Sequence, residues 1–218
     1  MVRFWPCLMV LCLVLAACPG QADVPTTAPA TTPATAPTTA PAVSVFGVTD
    51  AAGSVVFVVD HSASATEFPE PLRQEMARVF GSLQAPTQVA VYVFSEDLRA
   101  LVGDKLAEAT AELRASLAKA YESTDSAGNP EGTVPAFAQA VKQAIALKPE
   151  AIFLITYTKP SAKLAEAVKQ LNKDAHVRIN VVGLIGSADQ AVEDALAQIA
   201  KDSGGACKVL REKDVAKK

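Results

Sequence analysis

Three observations predict a doubly wound α/β fold, a mostly parallel central sheet with helices on both faces. Short continuous runs rich in β-branched residues, such as 55–59 and 151–156, have the composition of strands buried on both sides. The segments between them are long enough for crossover helices and carry apolar residues three and four apart. Strand and helix patterns alternate along the chain, as parallel pairing requires.

Residues 43–48 form a short apolar segment, expected as an edge or lead-in strand, and 55–59 as a central strand. Pro69 and Pro71 open a helix, where proline is tolerated in the first turn, and Leu72, Met76, Val79, Phe80 and Leu83 share one of its faces. Residues 88–94 give the next strand, and 99–102 a hairpin partner for it. A second helix is expected over 105–122, with Leu106, Leu113, Leu117 and Tyr121 inward. The polar stretch 123–132 reads as a surface loop. Thr133 then caps a third helix that faces inward through Val134, Phe137, Val141 and Ile145 and stops at Pro149. Residues 151–156 are a buried strand, and 161–172 a helix with Leu164, Val168 and Leu171 inward. Residues 177–184 are a further strand, 188–202 a helix carried by Val192, Leu196 and Ile199, and 206–210 a last strand after the Gly204-Gly205 stop.

Ahead of this region the composition changes. Arg3 followed by the apolar stretch 8–17 has the pattern of an export signal, too short to span a bilayer. It ends Leu15-Ala16-Ala17-Cys18, which resembles a bacterial lipoprotein signal. That resemblance implies cleavage of 1–17, lipid attachment at Cys18, and an exported protein held on an envelope membrane by buried methylenes. In 18–42, Pro25, Pro29, Pro33, Pro37 and Pro41 recur every fourth residue among Thr and Ala. Such a segment builds no core and favours an extended tether, with a reach of up to roughly 60 Å. The organisation expected is therefore signal 1–17, lipidated linker 18–42, folded domain 43–210 and charged tail 211–218.

Once Cys7 and Cys12 leave with the signal and Cys18 carries lipid, only Cys207 remains, so no internal disulfide forms; it is expected as a small buried hydrophobe. The formal net charge of −3 and the interruption of Lys208, Arg211, Lys213, Lys217 and Lys218 by Glu212 and Asp214 exclude a nucleic-acid-binding stripe.

The candidate site lies where the strand 55–59 ends: Asp60-His61-Ser62-Ala63-Ser64 presents a carboxylate and two hydroxyls at alternate positions. In open α/β sheets that edge binds ligands. Three hard oxygens suit Mg²⁺, Mn²⁺ or Ca²⁺ better than softer metals.

The motif resembles the D-x-S-x-S signature of von Willebrand factor A domains. Gly132-Thr133 stands where that family's second motif, a Thr before a helix, is expected. The third motif is usually Thr-Asp-Gly after a later buried strand; here it reads Thr156-Tyr157-Thr158, so Tyr157 replaces the Asp. Val45-Phe46-Gly47, Asn180-Val181-Val182-Gly183 and Ser203-Gly204-Gly205 are also similar, and the likeness spans 43–210. The resemblance implies a non-enzymatic adhesion or assembly module that binds a partner protein through an acidic side chain completing the coordination of Mg²⁺, or of Mn²⁺ or Ca²⁺. Ser62 and Ser64 would ligate directly, Asp60 directly or through water, and Thr133 would ligate or switch with ligand state. Tyr157 is the degenerate position: a phenol with a pKa of about 10 supplies no second negative charge at neutral pH. Asp125 and Glu131 stand as substitutes.

Two other readings stay open. In a metal-free scaffold lipoprotein, Asp60 caps a turn or helix, Ser62 and Ser64 bond nearby backbone, His61 faces solvent and Tyr157 packs over the loop. A hydrolase is the third. Against it, the place two residues beyond Asp60 holds Ser62, so no phosphoaspartyl pair exists. There is no Gly-x-Ser-x-Gly elbow, dinucleotide fingerprint or Walker A run, and no spacing links a Ser to His61 or His176.

Overall fold

The computed structural model describes residues 40–62, 69–124, 133–186 and 189–211. The expected signal, Cys18 and linker as far as residue 39, together with Ser64, Asp125, Glu131, Gly132 and the expected tail from 212, lie outside the described residues.

The chain enters through a hairpin of β1 (Ala42–Val45) and β2 (Val48–Ala51), paired antiparallel as a sheet of their own. Two consecutive left-handed residues, Phe46 at φ 49° and Gly47 at φ 81°, make the turn and split the single lead-in strand expected from 43–48. Then follow β3 (Ser54–Asp60), α1 (Pro69–Ser82), β4 (Gln88–Phe94), β5 (Leu98–Ala100), β6 (Ala107–Glu108), α2 (Ala111–Glu122), α3 (Thr133–Ala146) and β7 (Ala151–Thr156). α4 (Ala162–Asn172), β8 (Arg178–Leu184), α5 (Gln190–Ser203) and β9 (Cys207–Leu210) complete the order.

The main sheet runs β5-β4-β3-β7-β8-β9, with β6 also paired to β4. β4, β3, β7, β8 and β9 are mutually parallel; β5 and β6 join antiparallel. The predicted doubly wound α/β class is the observed one. Alternate strand residues face two separate cores, which is why these strands are apolar at every position. One core joins Phe57, Val91 and Phe153 to α1, α2 and the hairpin through Met76, Phe80, Leu117, Val43 and Val45. The other joins Val58, Leu154 and Val181 to α3, α4 and α5 through Phe137, Val141, Val168 and Leu196. Phe57 stacks on Phe153 at 5.8 Å and meets Phe80 edge-on at 5.9 Å. Burying each such side chain contributes about 1.5–3 kcal/mol.

Three helix expectations are corrected. α2 begins at Ala111, capped by Thr110, whose hydroxyl accepts from Leu113 N–H at 3.2 Å, because 107–108 is drawn into the sheet as β6. Val134 is 42% exposed, since the buried stripe of α3 runs through Thr133, Ala136, Phe137, Ala140 and Val141. Leu171 is 37% exposed because Asn172 takes the inward place, its amide clamping both backbone groups of Val177 at 2.7 and 2.9 Å. Cys207 is half-buried rather than fully enclosed. Among the described residues no helix is long and apolar enough to cross a membrane.

The turn into β9 explains the Gly204-Gly205 pair. Gly204, at φ 74°, is the left-handed residue that ends α5. Gly205 passes so close to β8 that a Cβ there would sit 2.1 Å from the Ile179 carbonyl oxygen, so any side chain would push the two strands apart.

Candidate functional site

The strand order reverses at β3. The chain first builds outward through β4, then returns to the other side of β3 with β7. This is the topological switch point, and the crevice beyond the carboxyl ends of β3 and β7 is where a doubly wound sheet offers a ligand site. Asp60 is the last residue of β3, and Thr156 the last of β7. α3 leads into β7 from the opposite direction, so Thr133, its first residue, comes to the same edge. The fold thus gathers Asp60, Ser62, Thr133 and Tyr157 at one edge.

Asp60 is 0% exposed, and both of its carboxylate oxygens accept hydrogen bonds from the protein. Oδ2 accepts four hydrogen bonds: from the Thr156 hydroxyl at 3.0 Å, Tyr157 N–H at 3.0 Å, Thr158 N–H at 2.9 Å and the Thr158 hydroxyl at 2.8 Å. Oδ1 accepts from Ser62 N–H at 3.0 Å, which tightens the turn after β3. Thr158 N–H also donates to the Thr156 hydroxyl oxygen at 2.9 Å, fixing that hydroxyl so that its own proton points at Asp60. Hydrogen bonds to a charged acceptor contribute about 1.5–3 kcal/mol each, so this cluster binds the end of β3 firmly to the segment leaving β7.

The neighbours are equally enclosed. Ser62 and Thr133 are buried. Tyr157 is 6% exposed and turns into the apolar core shared with α1 and α2. His61, expected to face solvent, is 8% exposed and meets the Tyr121 ring edge-on at 4.9 Å. Among the described residues neither of its ring nitrogens has a hydrogen-bond partner. Burial pushes its imidazole below the ordinary value, against the opposing pull of the Asp60 charge; Arg73 and Arg99 lower it further. Its backbone N–H donates to Phe94 O at 2.7 Å and extends the β3–β4 ladder, which explains why the ring is carried inward.

As placed here, Asp60 Oδ2 does not fit a divalent cation as a direct ligand. Such an ion needs six or more oxygens with lone pairs aimed at it. Here four donors aim hydrogens at Asp60 Oδ2. The position of the third acid holds a buried phenol. Among the described residues no three His, Cys, Asp or Glu side chains gather where a metal ion could be held.

The opposite edge of the sheet is built differently. Asp50 of β2 receives Arg178 Nε and Nη2 at 3.2 and 2.9 Å and Asn180 Nδ2 at 2.7 Å. Burial alone would raise its carboxyl, but the Arg178 and Asn180 hydrogen bonds outweigh it and hold the group below the usual range. Asn180 Oδ1 accepts from Ala206 N–H at 2.9 Å, so one side chain ties the hairpin to both β8 and the turn into β9. His176 lies here too, on a groove of about 440 Å³ between α4 and α5 that Lys169 and Asp202 also line, the two pairing at 3.6 Å. The two histidines therefore stand at opposite edges of the sheet.

Sequence reasoning missed the donors of Thr156 and Thr158. The signal was present, since two hydroxyl residues flank the position where a carboxylate was sought.

The family model for the von Willebrand factor type A domain matches residues 54–217. No curated protein matches the chain. Among solved structures, the von Willebrand factor type A protein from Catenulispora acidiphila is similar at 20% identity and a TM-score of 0.57, over 78% of this chain and 41% of that one. An aerotolerance-related membrane protein from Bacteroides fragilis is similar at 17% identity and 0.54, over 76% and 99%. The vWF domain of a type V pili tip protein from Porphyromonas gingivalis is similar at 9% identity and 0.52, over 75% and 90%. At these identities the likeness is one of fold.

Proposed function

The chain belongs to the von Willebrand factor type A domain family, and on that premise we propose that it is a non-enzymatic protein-binding module of the cell envelope, docking its partner at the carboxyl edge of the sheet. The observation that carries this reading is the convergence of Asp60, Ser62, Thr133 and Tyr157 on the switch point between β3 and β7. The edge is stiffened by the Asp60 hydrogen bonds, and a pre-organised surface loses less entropy on docking.

Three further points support it. The similar solved proteins include a pilus-tip domain and a membrane protein, so the fold is used in such settings. The sequence around Cys18 and the Pro/Thr/Ala repeat fit a lipid-anchored tether, which holds the domain off a membrane surface. A Ser–His relay requires a hydrogen-bonded imidazole, and among the described residues neither nitrogen of His61 has a partner. The reading is therefore assembly or adhesion, without metal.

Photo-crosslinking in the source cell tests it. A crosslinking residue at Val134, exposed at the carboxyl edge, is expected to capture a discrete partner, whereas one at Lys173, at the opposite edge, is not. Capture from Lys173 alone would move the docking surface away from the switch point. Cys18→Ala is expected to shift the chain from the membrane to the soluble fraction.

A further inference from the structure

We propose that the Thr156-Tyr157-Thr158 segment is an anion hole built onto the end of β7 and filled in cis by the Asp60 carboxylate, so that this edge holds a closed carboxylate clamp where a cation site would otherwise lie. This deepens the docking proposal by making it independent of divalent ions. The tests below use no partner, so they fail or succeed separately from it.

The polarity of the site carries the inference. Two successive backbone N–H groups, Tyr157 and Thr158, point at one oxygen, and such a pair of adjacent amides forms an anion-binding concavity. The hydroxyls of Thr156 and Thr158 close it from the sides. All four donors are neutral, so the positive potential around Oδ2 comes from aligned N–H and O–H dipoles. A cation approaching this oxygen meets the hydrogens rather than the lone pairs. To ligate it, the ion would have to displace donors that are themselves buried and would then be left without an acceptor.

Thr158 adds a donor to the backbone pair. Its side chain and its N–H both reach the same Asp60 oxygen, at 2.8 and 2.9 Å, so one residue supplies half the hole. Tyr157 between the two threonines anchors the segment by burying its ring in the core beneath α1 and α2. Thr156 and Thr158 reach the carboxylate, while Tyr157 lies in the same core as Phe153 and Ile155 of β7, so the backbone turns out of the strand there with its two amides facing one oxygen.

Two experiments on the full chain decide the matter. In the first, chelator-treated protein is titrated with Mn²⁺ and followed by electron paramagnetic resonance. The unmodified chain is expected to leave the free-ion spectrum unchanged, or to bind Mn²⁺ equally before and after Asp60→Asn. Micromolar binding that Asp60→Asn abolishes would overturn the proposal. In the second, Asp60→Gly empties the hole. Formate, at about ten times its dissociation constant, is expected to raise the unfolding midpoint of this variant by roughly 3 °C over chloride at equal ionic strength, and to leave the unmodified chain unmoved. A folded Asp60→Gly indifferent to formate would overturn the anion hole. Should that variant fail to fold, the Mn²⁺ titration of the unmodified chain still decides between clamp and cation site.

Discussion

Asp50 and Asp60 lie ten residues apart, Asp50 in the hairpin beside the amino edge of the main sheet and Asp60 at its carboxyl edge, and both are held by residues far along the chain, yet by opposite means. Asp50 meets a guanidinium that grips it in a fork, with an asparagine amide at its side. Asp60 meets only neutral donors, two from backbone and two from hydroxyls on its Oδ2. The first arrangement is a staple: opposite charges at a half-exposed position, binding the hairpin to β8. The second is a hole shaped around an anion in a fully buried place. The contrast teaches that the carboxyl edge of this sheet is organised by dipoles and fixed geometry, while the far edge is organised by charge.

The largest expected effect is from Asp60→Ala. It removes the acceptor for several buried donors at once, and each orphaned donor costs about 1–3 kcal/mol. Urea unfolding should show a loss of about 4 kcal/mol. A loss under about 1 kcal/mol would mean that the donors find other partners and that the cluster is no clamp.

Asp50→Ala should cost less, about 2 kcal/mol, because Arg178 remains 40% exposed and returns to water. Its effect should also depend on pH. Asp50 is held below the ordinary carboxylate range, so its contribution is complete above that range and fades as pH falls through its folded value. Unfolding curves of the two proteins should therefore converge in strong acid. Parallel curves down to the acid limit would contradict the ion-paired staple.

His61→Phe should give the smallest effect, and a stabilising one. The unfolded imidazole takes a proton from about pH 6.5 downward, whereas the folded one, lowered chiefly by burial, takes it only in stronger acid. The unfolded state then binds more protons, so the unmodified protein loses stability as pH falls, by up to about 1 kcal/mol between pH 7.5 and 5.5. Phenylalanine keeps the edge contact with Tyr121 and removes both unpartnered nitrogens, so its stability should stay level over that window. An equal decline in both proteins would show that His61 is not the group responsible.

How far the sequence carried these conclusions can be read from particular residues. β3, β4 and β7 were legible because strands buried on both faces are apolar along their length, and their shortness and β-branched and aromatic content set them apart from a buried helix. The inward faces of α1 and α5 followed from spacing alone. The hairpin was not legible, because its turn uses Phe46, a residue seldom found in left-handed backbone. β6 was hidden inside a helical pattern since its two residues owe their state to pairing with β4 and not to their own preference. The same limit applies at the site. Asp60 could be singled out by position, but whether its oxygens face outward to a ligand or inward to Thr156 and Thr158 depends on contacts across 96 to 98 residues. His61, expected to face solvent, is carried inward because the β3–β4 ladder continues one residue beyond Asp60, a pairing that the sequence does not display.

The amide protons of Tyr157 and Thr158 offer the most direct test of the clamp, observed by nuclear magnetic resonance while Mg²⁺ is added to the full chain. Both lie beyond the last paired residue of β7, where loop amides ordinarily exchange quickly. The expected result is slow exchange, comparable with the amides of β7 itself, and resonances that do not move with Mg²⁺. Fast exchange at both amides, or resonances that shift and saturate as Mg²⁺ binds, would contradict it.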